Sequence, residues 1–300
     1  MRILTLKPLV LLAILFALVA QRSAIAGDID KLLALPEEKL DIGIAALTLA
    51  KEFYPTLDVP TYSSKIDALA DKVRWLAKGT QDPEQRIRVL NTVLFRQEGF
   101  RYDRNPFSRS KQEYYFLNGI LDTKQGICYT MPLLYLAVAQ RLGYPVYPVA
   151  APDHLFVRYV DSMFKEQNIE VTSGGKYFPD EWYVEDFSVS PRGRKSGSYL
   201  RTLSYREFLG HLVAANAFVH AWHRNGQKAL LYLEHAARLE PRFADHYANL
   251  ASAYRAKSKV VTGEAAVRYR EKAEQHTAKA KALGFVSAEE IAVGRKTRGG

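Results

Sequence analysis

The stretch that decides the fold is G-I-C-Y-T-M-P-L-L-Y-L-A-V-A-Q-R-L-G-Y-P-V-Y-P-V-A-A-P-D-H-L-F-V-R-Y, residues 126–159. Its first half predicts a helix, because Pro132 fits a first helical turn and Gly143 fits the position just after a helix end. Two apolar runs separated by a Pro-Asp pair then predict two strands joined by a turn. The pattern places Cys128 at or just before the helix start and His154 at the start of the second strand.

The segments around this stretch complete an α+β domain. Upstream, Asp82 is typical of a helix N-cap, and that helix is predicted to stop near Gly99. Helices followed by antiparallel strands indicate an α+β fold, with the helix after Cys128 packed on the sheet. The strands are predicted at Val146 to Ala151, Leu155 to Val160 and Asn168 to Thr172.

The chain from Tyr205 onward is predicted to be almost entirely helical. Small and large apolar residues recur there as in tetratricopeptide repeats, with an ordinary helical bundle as the alternative. About two repeats are visible, fewer than the roughly three that stand alone, so we expect them to stack on the preceding domain. We divide the chain into a domain of residues 27–204 and a repeat-like region of residues 205–300. The repeat positions are Ala229, Leu233, Ala236, Tyr247, Leu250, Ala251, Tyr254, Ala266, Tyr269 and Ala273.

The first 26 residues have the pattern of a secretory signal peptide. Arg2 and Lys7 supply positive charge, an apolar stretch runs from Leu9 to Ala20, and Ala24-Ile25-Ala26 offers small residues for cleavage. The apolar stretch is shorter than the roughly 20 residues of a membrane span. We therefore predict a signal peptide of residues 1–26, no stable membrane span after cleavage, and an exported protein, periplasmic or secreted.

The amino-acid composition limits the classes of partner that the protein is expected to bind. The chain has 42 Lys and Arg against 32 Asp and Glu, with a net charge of +10. This excess suits an anionic envelope surface, and it is also common as a solubility feature. No basic array interleaved with stacking aromatics is present, so we predict no nucleic-acid partner. We predict no cofactor.

Cys128 is the single cysteine of the chain. In an oxidising compartment it is a free thiol, an intermolecular bridge or a buried spectator. A helix start favours the thiolate, His154 can take its proton, and Glu170 on the next strand can orient the imidazole. His154 is also the only histidine of the α+β region, and no second His or Cys lies at ligand spacing to these residues, so no metal site is predicted. The other histidines are His211, His220, His223, His235, His246 and His276.

Three segments carry a resemblance to a known family. They are L-N-G-I-L-D-T-K-Q-G-I-C-Y-T-M-P-L-L-Y-L-A-V-A-Q-R-L-G-Y-P-V, A-P-D-H-L-F-V-R-Y and N-I-E-V-T-S-G-G. They resemble the transglutaminase-like branch of the papain-type cysteine superfamily. More closely, the chain resembles bacterial transglutaminase-like domain proteins with tetratricopeptide repeats after the domain. The similarity covers roughly Val89 to Tyr183.

The resemblance implies catalytic residues in the chain order Cys, His, Asp. In this sequence the order falls on Cys128, His154 and Glu170, with Glu where the family more often has Asp. Asn118 occupies a recurrent family position beside the nucleophile loop, which implies a supporting role in ordering that loop.

The leading hypothesis is therefore an exported cysteine-dependent amide-bond hydrolase or acyltransferase that works through an acyl-thioester. Its substrate would be a peptide, a protein or a cell-wall peptide, which the polar and aromatic loops from Tyr102 to Tyr115 and from Lys176 to Ser198 suit. Water would give hydrolysis, and an amine would give cross-linking. The alternative is a non-catalytic periplasmic scaffold that binds a protein or peptide through its repeat-like helices. A third hypothesis is a basic envelope-associated protein without catalysis.

Overall fold

The computed structural model describes residues 31–105, 107, 110–161 and 164–292. The predicted signal peptide of residues 1–26 lies outside this part of the chain. Within the described residues, no helix is both long enough and apolar enough to cross a membrane. Helices come first, a small sheet follows, and further helices come after the sheet. The predicted α+β architecture with a mostly helical C-terminal region is confirmed at this level.

Helices dominate the part of the chain before the main sheet. They are α1 (Ile42–Ala50), α2 (Val59–Ala77), α3 (Pro83–Asn91, continued by the π-helix Thr92–Gln97), α4 (Leu117–Thr123) and α5 (Thr130–Leu142), with 3-10 turns at Glu37–Lys39 and Gln112–Tyr115. Asp41 caps α1 by accepting a hydrogen bond from the Ile44 N–H (2.9 Å). Asp82 caps α3 through the Glu84 N–H (3.1 Å), as predicted. The chain then turns at Gly99, where φ is 74°.

The strands in the described part of the chain form two sheets. They are β1 (Arg101–Tyr102) and β2 (Gln125–Gly126), which pair in parallel, and β3 (Val146–Ala151), β4 (His154–Asp161), β5 (Phe164–Glu170) and β6 (Lys176–Tyr177), which form an antiparallel sheet in that order. Strand β5 ends at Glu170, two residues before the predicted end at Thr172. The chain turns there into the 3-10 turn Val171–Ser173, which the Glu170 side chain caps.

Helix α5 lies at the centre of this domain. It begins at Thr130, has Pro132 in its first turn and ends before Gly143, where φ is 66°, so the predicted bounds are confirmed. Every residue from Thr130 to Ala139 is buried. The helix packs against α1, α2 and α4 and also against β3 and β4. It therefore holds the loop before it in a fixed position relative to the sheet.

The C-terminal helices share a hydrophobic core with this domain. They are α6 (Asp180–Asp186), α7 (Pro191–Ser196), α8 (Tyr205–Trp222), α9 (Gly226–Leu239), α10 (Ala244–Ser258) and α11 (Gly263–Leu283). One cluster of buried apolar residues extends from Leu32 to Ala273. Most of the predicted repeat positions are buried, among them Leu233 and Leu250. The helical region is confirmed, and its tetratricopeptide character stays a prediction.

Candidate active site

A tight turn positions Cys128 two residues before α5. The Ile127 N–H donates a hydrogen bond to Thr130 Oγ1 (3.1 Å), and the Met131 N–H donates to the Ile127 carbonyl (3.0 Å). These bonds fold the chain from β2 into the helix. The predicted place of Cys128, just before the helix start, is confirmed, and the positive end of the helix dipole lies beside the thiol.

His154 and Glu170 are brought together by the β4–β5 pairing. His154 Nε2 lies 2.7 Å from Glu170 Oε2, and both residues are buried. The other carboxylate oxygen, Oε1, accepts hydrogen bonds from the Thr172 N–H (2.9 Å) and the Thr172 hydroxyl (2.5 Å). Both oxygens are therefore engaged, which fixes the carboxylate and, through it, the imidazole. The predicted juxtaposition of His154 and Glu170 is confirmed.

The plane of the His154 ring is set by an aromatic neighbour. Phe187, at the end of α6, stacks on it with ring centroids 4.1 Å apart and an interplanar angle of 12°. The Cys128 thiol approaches the carbonyl oxygen of the adjacent Asp153, with Sγ 3.7 Å from it. The thiol therefore lies against the residue directly before His154. The stacked Phe187 ring leaves the His154 imidazole little freedom to rotate.

The electrostatics of the site favour a protonated imidazole. Burial alone would lower the pKa of His154, but hydrogen bonding to Cys128 and to the Glu170 carboxylate raises the pKa to about 9. Because Nε2 faces Glu170, Nδ1 is the nitrogen available to the Cys128 sulfur. An imidazole beside a thiol is the arrangement that cysteine nucleophiles use, because the imidazole can take the thiol proton.

Cys128 and His154 open onto a cavity of about 460 Å³. The C-terminal helices and the segment after α11 contribute part of its wall, which the sequence did not predict. The lining residues from this region include His211, Phe218, Phe243, Asp245, His246 and Phe285. Five of these six side chains are aromatic and the sixth is an aspartate, so the cavity offers both apolar contacts and polar groups to a ligand. The candidate site is shared between the two regions into which the sequence was divided.

Among the described residues, no hydrogen bond joins Asn118 to Cys128, His154 or Glu170. It lies on α4, is buried, and its Oδ1 atom has no hydrogen-bond partner within the described ranges. It does not line the cavity. Its predicted supporting role stays a prediction. Sequence reasoning missed Thr172 instead, although the E-x-T spacing at a strand end is a recognisable capping pattern.

Comparison with known proteins shows the family of this chain. A family model described as the transglutaminase-like superfamily matches residues 60–214, more than half of the chain. The chain belongs to the transglutaminase-like superfamily. Membership suggests cysteine-based hydrolase or acyltransferase chemistry in general terms. The matched range contains all three predicted catalytic residues and ends within α8.

The relatives of this transglutaminase-like chain are distant. A UPF0162 protein of Xylella fastidiosa (strain Temecula1) is 24% identical over 129 residues, 43% of this chain and 45% of the relative. F-box only protein 21 of Mus musculus is 36% identical over 80 residues, 25% of this chain and 12% of that protein. The chain thus spans less than half the length of these curated relatives.

A solved structure also has some likeness to this chain. It is menin, which has a binding site for the Mixed Lineage Leukemia (MLL) protein. The superposition has a TM-score of 0.41 at 11% sequence identity and covers 86% of this chain and 69% of menin. A TM-score this low establishes no common fold.

Proposed function

We propose that this protein is a cysteine-dependent amide-bond hydrolase or acyltransferase that uses Cys128, His154 and Glu170. The observation that carries the proposal is the His154 imidazole, held between the Cys128 thiol and a fully engaged Glu170 carboxylate. The thiolate forms a bond to the substrate carbonyl carbon. When the C–N bond breaks, the imidazolium gives its proton to the leaving amine, and an acyl-thioester remains.

The second half of the reaction regenerates the thiolate. The neutral imidazole takes a proton from water or from an amine, which attacks the thioester and releases the sulfur. Water completes a hydrolysis, whereas an amine completes an acyl transfer. The backbone N–H of Cys128, at the positive end of α5, is the proposed donor to the developing oxyanion. Glu170 acts through His154 and does not touch the substrate.

The proposed setting is outside the cytoplasm. The basic, apolar and small-residue segments of residues 1–26 support export to the periplasm or the medium. A cavity of about 460 Å³ with mixed apolar and polar lining suits a peptide, protein side chain or cell-wall peptide as substrate.

The test is the rate of labelling by an electrophilic thiol probe. Wild-type protein is expected to react faster than His154→Ala, because His154 stabilises the thiolate. The matched control is His220→Ala, since His220 is also buried beside a glutamate, Glu52, but does not line the cavity. Equal rates for wild type and His154→Ala would sink the proposal that His154 activates Cys128.

The competing proposal is a scaffold whose tetratricopeptide-like helices bind a partner. It is supported by the burial of Ala229, Leu233 and Ala236 at the predicted packing positions of α9. Complementation of a deletion strain separates the two proposals. A catalytic protein loses its cellular role on Cys128→Ser, whereas a scaffold keeps it.

A further inference from the structure

A second carboxylate–imidazole group lies in the wall of the same cavity. His211 comes from α8, Glu240 from the end of α9 and His246 from α10. One ligand atom from each lies within 4.8 Å of the other two, and all three residues are buried. His211 and His246 line the cavity that Cys128 also lines.

The two imidazoles converge on one carboxylate oxygen. Nε2 of His211 lies 2.7 Å from Glu240 Oε2, and Nε2 of His246 lies 3.5 Å from the same atom. The Arg201 guanidinium approaches the other oxygen, with Nη2 3.8 Å from Oε1. Another nitrogen of Arg201, Nη1, donates to Glu207 at 2.7 Å. The carboxylate therefore presents Oε2 to the imidazoles and Oε1 to a more distant cation.

Hydrogen bonding does not account for this arrangement. Across the described part of the chain, no hydrogen-bond partner exists for Nε2 of His211, Nε2 of His246 or either oxygen of Glu240. A short nitrogen–oxygen contact without a hydrogen bond means that the nitrogen does not point at the oxygen. Burying four such atoms without partners is costly, at about 1–3 kcal/mol for each unsatisfied group. A ligand shared by the two Nε2 atoms and Glu240 Oε2 removes that cost for three of the four atoms.

A bound metal ion meets this requirement. Ligands of one ion point at a common centre and not at each other. With bonds of about 2.0–2.1 Å in a tetrahedron, ligand atoms are about 3.3 Å apart. The contacts of 2.7 Å and 3.5 Å to Glu240 Oε2 lie on either side of that spacing.

We propose that His211, Glu240 and His246 bind a divalent transition-metal ion, with Zn²⁺ the ion that two imidazoles and one carboxylate suit best. Three protein ligands leave a coordination position, and because His211 and His246 line the cavity, that position lies on the side of the cavity. The ion joins α8, α9 and α10 and presents a Lewis acid to a ligand in the cavity that Cys128 lines. This inference reverses the sequence-based expectation of no metal site, and it does not depend on the proposed role of Cys128.

The molecule contains a matched site that should not bind metal. His220 Nε2 lies 3.1 Å from Glu52 Oε2, and both residues are buried. Glu52, however, also accepts hydrogen bonds from the Lys228 ammonium and the Tyr232 hydroxyl. Its charge is therefore already compensated, and among the described residues no third His, Cys, Asp or Glu joins this pair as a potential metal ligand.

The experiment measures zinc retained by the purified full chain after equilibration with a zinc–chelator buffer. Wild type and the control variant His220→Ala are expected to hold zinc in an equimolar amount. His246→Ala and Glu240→Gln are expected to bind more than ~100-fold more weakly, since loss of an outer partner alone costs about 10–100-fold. Circular dichroism shows whether each variant is folded.

The alternative to this proposal is that zinc binds through the Cys128 thiolate. The variant Cys128→Ser tests that alternative. The proposal expects Cys128→Ser to retain zinc and expects the Co²⁺-loaded wild type to show a tetrahedral spectrum without a thiolate charge-transfer band. The Co²⁺ spectrum needs no variant, so it decides even if His246→Ala fails to fold. Loss of zinc on Cys128→Ser, a thiolate band, or no zinc in the wild type would each overturn the proposal.

Discussion

Two carboxylate–imidazole groups lie at the cavity. They contain the same residue types but differ in whether their polar atoms have hydrogen-bond partners. In the first, both oxygens of Glu170 are engaged, by His154 and by Thr172. In the second, His211 and His246 approach one oxygen of Glu240, and none of these atoms has a hydrogen-bond partner among the described residues. A satisfied group can hold and transfer a proton in a fixed direction. An unsatisfied one is suited to a ligand shared by the two imidazole nitrogens and one carboxylate oxygen.

The two groups also differ in how the chain assembles them. Two paired strands that follow one another along the chain bring His154 and Glu170 together, only 16 positions apart. The second group needs three helices of the C-terminal region to pack correctly. Variants in one group should therefore leave the chemistry of the other intact, and the predictions below test that separation.

The largest effect is expected for Cys128→Ser. A hydroxyl is a far weaker nucleophile than a thiolate, so kcat/KM for an amide substrate should fall by at least ~10³-fold. Zinc content and melting temperature should stay at wild-type values. Turnover at the wild-type rate by Cys128→Ser would mean that the cavity does not use a cysteine nucleophile.

The next effect is expected for Glu170→Gln, which should lower kcat by about 10²–10⁴-fold because the imidazole loses its charged partner. The pH profile adds a separate readout. The His154 pKa is raised to about 9, so the imidazolium that protonates the leaving amine is present below pH 9 and is lost as the pH rises through it. Removing the carboxylate should move this basic limb to lower pH. An unshifted limb would contradict the role of Glu170.

The same raised pKa has a consequence for folding. Since the folded-state pKa of His154 lies above the value of 6.5 expected for an unfolded chain, its contribution to stability is fully present below pH 6.5 and decreases as the pH rises towards 9. The measurement is urea unfolding of wild type and Glu170→Gln across this range. The difference between the two should shrink with rising pH, and a difference that grows would contradict the assignment.

A smaller effect is expected on the melting temperature when zinc is added. It should be seen only in proteins that keep the zinc site intact. At a free zinc concentration of 100 times Kd, binding to the folded state adds about 2.7 kcal/mol. Zinc should therefore raise the melting temperature of wild type and of His220→Ala, but not of His246→Ala. An equal response of all three proteins would show that the ion binds elsewhere.

The smallest effect is expected for Thr172→Val. The change removes the hydroxyl that donates to Glu170 Oε1 but keeps the backbone N–H donor. The loss of one such bond is worth about 1 kcal/mol, or roughly fivefold in kcat. Thr172→Ser keeps a hydroxyl and is the control. If both variants lose the same activity, the effect comes from packing of the methyl group and not from the hydrogen bond.

Local signals explain why much of the fold was predictable. Pro132 and Gly143 determine where α5 begins and ends, and Asp82 determines the start of α3, because each acts on the backbone of its own turn. The strands β3 and β4 follow from apolar runs around one turn. The end of β5 was misplaced by two residues because the Glu170 side chain, and not residue propensity, starts the turn there.

The sequence by itself determined the order Cys128, His154, Glu170 and the elements that carry them, because helix caps, turns and strand alternation act over a few residues. Only the tertiary structure decided that His211 and His246 reach the same cavity. Their approach to Glu240 depends on how α8, α9 and α10 pack on the shared core, and no spacing along the chain encodes that packing. The His154–Glu170 group forms between residues close in sequence. The group of His211, Glu240 and His246 forms because apolar surfaces far apart in sequence are buried together.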